Sequence, residues 1–193
     1  MKNARYDLNT SSQDVLNHFL QVHKEELKNF DFEITTNHVV NESSDAFEVK
    51  AQLNGSKVVS TISTMSLSGY RYALNAILKW IKNDANEDLV LSDQPHFTFR
   101  GVIEGFYGKP WSHEQRLRSL DFFGDFGMNA YFIAPKDAPW QRFNWRAPFK
   151  NDFIDLTRQL VVRGALNGVN VAVCVSPGLS VKYSDPKIGR AHV

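Results

Sequence analysis

The sequence predicts an α/β chain in two parts. A small α+β unit comes first, and a unit of alternating strands and helices follows. Three observations predict this. Segments of period two lie between two helical patterns in the first half. From about residue 97, strand and helix alternate with short connections, as βα units of a parallel sheet do. The strands VNVAVCV and NAYFIA are apolar on both faces, as strands covered by helices must be.

In the first part, SSQDVLNHFLQVHKEELKNF has a helical pattern. Val15, Leu16, Phe19, Leu20, His23 and Leu27 fall on one side, and Ser11 or Ser12 can cap the start. FDFEIT, DAFEVKAQL and KVVSTIST alternate as half-buried strands. Asn54-Gly55 between the last two is a strong hairpin signal. LSGYRYALNAILKWIK reads as a second helix, capped by Ser66 or Ser68. NDANEDLVLSDQP is polar and turn-rich and reads as a link.

In the second part, TFRGVIEG reads as a strand. SHEQRLRSLDFFGDFG reads as a helix with Ser112 as N-cap, Gln115 in the capping-box position and Gly127 at its end. MNAYFIAP is a strand, PFKNDFIDLTRQLVVRGALNG a helix and VNVAVCVSPG a strand. Each strand ends in an unusual stretch: GFYGKPW, then PKDAPW, then SPGLS. In βα folds, the C-terminal strand ends carry the site. Gly105 would let the backbone approach a ligand, its aromatic neighbours would form a wall, and Lys136 and Asp137 would project into the same mouth. Apolar walls with a few polar groups and no phosphate cradle suit a sugar better than a nucleotide.

The chain has 193 residues and a net charge of +1, with no basic run that would draw nucleic acid or an anionic membrane. One cysteine, Cys174, excludes an internal disulfide framework and a multi-Cys zinc site, and its apolar context suits a small buried residue. The start of the sequence has no apolar leader and no run is long enough to span a membrane, which suggests the cytoplasm; an incomplete N-terminus would leave secretion open.

GVIEGFYGKPWSHEQR, GMNAYFIAPKDAPWQRFNWRAPF and VSPGLS with YSDPK after it resemble the start of the catalytic domain of glycoside hydrolase family 84, the β-N-acetylglucosaminidases, O-GlcNAcases and hyaluronidase-like enzymes. The resemblance implies a small hexosaminidase-type α/β domain over 1–95. Over 96–187 it implies the first three or so βα units of an incomplete (β/α)8 TIM barrel. It implies no cofactor and no metal. The implied substrate is a glycan or glycoprotein bearing terminal β-linked N-acetylglucosamine, cleaved by substrate-assisted retaining catalysis.

By the same resemblance, Gly105 would offer its backbone to a sugar hydroxyl, Lys136 would hydrogen-bond the sugar and Tyr107 would line the pocket. The catalytic pair of adjacent aspartates would lie beyond Val193, so the fragment by itself is expected to be inactive. Three positions depart from the family pattern: Ala138, Ala147 and Phe149. They leave open a non-catalytic, sugar-binding or structural relative. The last six residues, IGRAHV at 188–193, match what sequencing-adapter DNA would encode and are expected to be a read-through artefact.

The remaining candidates have plainer readings. Glu104 reads as a structural ion pair or hydrogen bond rather than an acid catalyst. His113 falls in a first helical turn and reads as surface, and His96 and His192 lack metal spacing. Trp111, Trp140 and Trp145 could stack on sugars or pack loops. Asp121, Asp125, Asp152 and Asp155 read as helix-face residues with no special role.

Overall fold

The computed structural model describes residues 10–37, 45–176 and 184. The first half builds a four-stranded sheet. Strands β1 (Asp31–Asn37), β2 (Phe47–Asn54), β3 (Lys57–Thr64) and β4 (Leu89–Asp93) lie in the order β1-β3-β2-β4. β2 and β3 form the expected hairpin, with Asn54 opposite Lys57 and Gly55 at a φ of +65°, where glycine carries no Cβ penalty. β1 runs parallel to β3, and β4 antiparallel to β2. Helices α1 (Ser12–Val22), α2 (Lys24–Leu27) and α3 (Leu67–Lys82) cover the sheet. Their core holds Val15, Phe19, Val49, Val58, Ile62, Leu74 and Ile77.

Two readings of this half are corrected, and one open choice is settled. The first helical pattern is two helices, because the chain turns at His23, at φ −99° and ψ 27°. The stretch taken as a link contains β4. Four of its five residues are exposed and its apolar run is only three residues, so it gave too weak a strand signal. The choice of N-caps is resolved: Ser11 caps α1 in a full capping box with Asp14, and Ser66 caps α3.

The second half is a three-stranded parallel sheet, β5 (Gly101–Glu104), β6 (Ala130–Ile133) and β7 (Asn170–Val173), in that order. Helices α4 (His113–Asp125) and α6 (Asn151–Leu166) pack on it around Leu120, Phe123, Tyr131, Ile133, Leu160 and Val169. Ser112 and Gln115 form the expected capping box on α4, and Gly127 follows it at a φ of +67°. A short helix, α5 (Pro139–Arg142), occupies the strand-end stretch PKDAPW, where no helix was expected. The strands are four residues long, shorter than the segments that predicted them. Cys174 lies just past β7 and is half-buried rather than buried.

Among the described residues β7 has a partner on one side only. The groove beside it, about 360 Å³, is lined by Phe149, Phe153, Ile154, Val161, Val162 and Val173 with Thr157 and Arg158. β7 is thus a parallel edge with an apolar flank among the described residues. The segments YSDPK and IGRAHV lie outside the described residues, apart from Ser184.

The two halves meet through polar groups. His18 contacts Asp121 at 2.9 Å, and Asn167 donates to the same carboxylate at 2.9 Å. Arg163 lies 2.9 Å from it as an ion pair. His23 contacts Asp125 at 3.0 Å, and Arg71, fully buried, pairs with Asp125 and Asn75 and lies over the Phe19 ring. Asp45 receives hydrogen bonds from Arg100 at 2.9 Å and Asn129 at 2.8 Å. Asp121 and Asp125 were read as plain helix-face residues. They are the anchors of this interface, which a single helix's pattern could not reveal. Gly168 lets the halves touch, since a Cβ there would come within 2.6 Å of the Ser68 backbone.

Burial acts to raise the Asp125 pKa, but the hydrogen bond from His23 and the charge of Arg71 outweigh it and hold the carboxyl below its ordinary value. A lowered carboxylate contributes stability above its unfolded pKa of about 4 and loses it as pH falls through the folded value. Asp125→Ala strands the buried Arg71 guanidinium and should cost about 3–5 kcal/mol. Denaturant unfolding at neutral pH measures this. Below about pH 4 the difference between variant and parent should shrink.

Candidate functional site

Parallel strands put all their C-terminal ends on one edge. Glu104, Ile133 and Val173 are in register there, tied onward by Ala134 N–H to Glu104 O (3.2 Å) and Cys174 N–H to Ile133 O (3.0 Å). The first two strand-end stretches therefore share one mouth, and of the third, SPGLS, only Ser176 lies within the described residues. Lys136 N–H donates to Phe106 O at 3.1 Å, and Gly108 N–H donates to the Asp137 carboxylate at 2.6 Å. Ser176 N–H donates to Gln141 O at 2.7 Å and brings in the third stretch.

Two glycines shape the first loop for different reasons. Gly108 sits at a φ of +93°, which only glycine adopts without strain. Gly105 needs no unusual φ. A Cβ there would meet Ile103 at 3.2 Å, and the N–H already donates to Ile103 O at 2.9 Å, so its carbonyl is the group it can offer. Tyr107 is 70% exposed, and its hydroxyl accepts from Arg142 at 3.4 Å. Lys136 is half-buried beside these groups. Gly105, Tyr107 and Lys136 are thus on one edge and linked through two neighbouring loops.

The loop stands on Glu104, which is fully buried. Arg116 of α4 holds both its oxygens at 2.8 Å, the Tyr131 hydroxyl donates to one, and Trp111 N–H donates to the other at 3.1 Å. These four bonds tie β5 to β6, to α4 and to the loop end at Trp111. Burial raises the Tyr131 pKa, and the neighbouring Glu104 carboxylate raises it further, so the phenol stays protonated and donates. Glu104 is a structural anchor, as its place within the strand suggested.

The aromatics mostly pack. Trp111 lies between Phe106 (5.7 Å) and Tyr131 (6.3 Å), and Trp140 lies against Phe149 and Phe153. Trp145 carries the Arg146 guanidinium at 4.0 Å. His113 is half-buried and bonds Gln159 at 3.0 Å, so it is not a plain surface residue. Of the three departures, Ala138 is buried at the start of α5, Ala147 is exposed, and Phe149 stacks on Phe153 at 4.9 Å. Phe149 therefore serves the α6 groove as much as the mouth. Sequence reading missed Arg116, Tyr131 and Arg142. The spacing from Glu104 to Arg116, one loop and one helical turn, was the available signal for the first.

Residues 100–191, just under half the chain, match the family model of beta-N-acetylglucosaminidase. Protein O-GlcNAcase of Rattus norvegicus and of Mus musculus is 33% identical over 87 residues in each case, covering 45% of this chain and 10% of theirs. A solved structure titled "Structure of CpGH84B" matches 93% of this chain and 34% of its own at a TM-score of 0.67 and 27% identity. "Structure of CpGH84D" matches 96% and 36% at a TM-score of 0.65 and 22% identity, a likeness of fold alone. The chain spans about a tenth of the length of the curated relatives and about a third of these solved chains.

Replacing Glu104 tests its structural role. Glu104→Gln leaves Arg116, 14% exposed, without its ion pair. It should cost about 3 kcal/mol, or a fall of about 10 °C in Tm by thermal melt.

Proposed function

Taking the chain as a member of glycoside hydrolase family 84, the family that these matches support, we propose that it is the N-terminal portion of a β-N-acetylglucosaminidase. In this reading, residues 1–95 form the small domain and residues 96–187 form the first three βα units of a (β/α)8 barrel. The observation that supports the reading is the shared mouth: the hydrogen bonds from Lys136 to Phe106, Gly108 to Asp137 and Ser176 to Gln141 draw the first two family-like stretches, and Ser176 of the third, to one edge.

The chemistry proposed is release of terminal β-linked N-acetylglucosamine from a glycan or glycoprotein. The acetamido oxygen of the substrate attacks the anomeric carbon, the leaving oxygen takes a proton, and water later opens the cyclic intermediate with retention. This route needs one carboxylate to orient the acetamido group and another as acid and base. Neither strand-end carboxylate described here is free for that work. Glu104 is locked by Arg116, and Asp137 is held by Gly108. The family resemblance implies that the acid pair belongs to a later strand of the parent. The role left to this chain is binding: Lys136 donates to a sugar hydroxyl, the Gly105 carbonyl accepts from one, and Tyr107 walls the pocket.

A second reading is a non-catalytic sugar-binding or structural relative. Ala138 favours it, because it removes a polar group at the start of α5 beside Lys136. One pair of measurements on the parent protein decides. Hydrolysis of an aryl β-N-acetylglucosaminide, with Lys136→Met raising KM by about tenfold (the loss of about one charged hydrogen bond), supports the enzyme. Binding of chitooligosaccharide without turnover supports the second reading. The 193-residue chain alone should show no turnover.

A further inference from the structure

We propose that a cleft between the two halves, on the edge of the second sheet opposite the mouth, binds a short zwitterionic peptide: a dipeptide with both ends free and apolar side chains. The proposal does not rest on the hydrolase reading. The cleft measures about 860 Å³. The first half supplies α3 and β4 as walls, with Lys79 and Lys82 in the last turn of α3 and Asp93 at the end of β4. The second half supplies Phe126 and Gly127, just past α4, and Arg100, one residue before β5. These second-half groups precede β5 and β6. The cleft therefore lies at the N-terminal ends of the strands whose C-terminal ends make the mouth.

The charges on the walls decide what fits. Six acidic or basic side chains line the cleft, and four of them are engaged within the protein. His23 contacts Asp125 at 3.0 Å, which accounts for two. Arg100 donates to Asp45 at 2.9 Å and to the Tyr72 hydroxyl at 2.7 Å, and Lys82 pairs with Glu26 at 3.1 Å. The remaining two are Lys79 and Asp93. Both are exposed, and neither has an ion-pair partner among the described residues. Asp93 accepts the N–H of its neighbour Gln94 at 2.8 Å. The cleft thus offers one cation and one carboxylate. A ligand with a single charge would cover the opposite group and expel its water without pairing it, which offsets the one new bond. A neutral ligand would do this to both groups. A zwitterion answers both.

The body of the ligand follows from the rest of the lining. Phe47, Leu78, Leu91, Pro95 and Phe126 are apolar, and Phe126 is 67% exposed. Asn83, the C-cap of α3, adds a side-chain amide that can donate and accept, as a peptide bond does. The volume lies toward the upper end for small-ligand sites, more than one amino acid fills. Because the walls come from both halves, an occupant also ties α3 to the end of α4 beside the His23–Asp125 contact.

The test is calorimetry on the full 193-residue chain with four probes that share one body. They are leucyl-phenylalanine, its N-acetyl form, its C-terminal amide and the doubly blocked form. The free dipeptide should bind about tenfold more tightly than either singly blocked form, one charged hydrogen bond in each case. Lys79→Gln should bring the free dipeptide down to the level of its amide, and Asp93→Asn down to that of its N-acetyl form. Lys150→Gln, at the start of α6, should change neither, and all three variants should melt with the parent when no ligand is present. Saturating dipeptide should raise the Tm of the parent. No binding, or binding indifferent to Lys79 and Asp93, would overturn the proposal. Equal binding of the N-acetyl form would make the cleft an anion site, equal binding of the doubly blocked form an apolar patch, and equal binding of phenylalanine a site for one amino acid; each overturns it.

Discussion

Glu104 is the charge on which the mouth depends. A carboxylate with no exposure is tolerated only when it is paired and hydrogen-bonded, and Arg116, Tyr131 and Trp111 do this together. The arrangement fixes more than one strand. Arg116 comes from the first turns of α4, Tyr131 from the centre of β6, and Trp111 from the end of the loop. With both ends of GFYGKPW pinned, Gly105 and Tyr107 have a defined place. The loop is then stitched sideways to Lys136 and Asp137. A buried acid at the strand's end thus sets the position of Gly105 and Tyr107, which carry no charge themselves.

The same logic holds the two halves together. Arg71, buried completely, would be very costly alone, and Asp125 and Asn75 make it tolerable. Pairs of this kind give direction where apolar contact would not. His18 and His23, on successive turns of the first helical stretch, reach Asp121 and Asp125, which are one turn apart on α4. The match in spacing fixes the register of one helix against the other.

Much of the fold was legible because its signals are local. Alternation around Asn54-Gly55, the Ser112–Gln115 box and the two-faced apolar strands each depend on a few adjacent residues. β4 was not legible, because an exposed edge strand owes its pairing to β2 and carries little pattern of its own. Within the mouth, the sequence located Gly105, Tyr107 and Lys136 on strand ends, and the chain links them there. Their contact with a sugar remains a proposal, since it was implied by resemblance. The roles of Asp121 and Asp125 were hidden because their partners are more than a hundred residues away for His18 and His23. Glu104 was legible for the opposite reason: a carboxylate inside an apolar strand must find a partner.

Among the described residues, the bonds between the two halves join residues numbered between 18 and 168. That has a consequence for synthesis. In any longer chain carrying this segment, the interface can close on the ribosome as soon as Gly168 has left the exit tunnel. Where a longer chain supplies a partner strand for β7, the apolar groove of α6 beside it stays open until that strand is made. At about 5–20 residues per second, a further hundred residues take about 5–20 seconds. For that interval the nascent chain shows a finished platform with one sticky flank, and that flank is where a ribosome-associated chaperone would have something to hold.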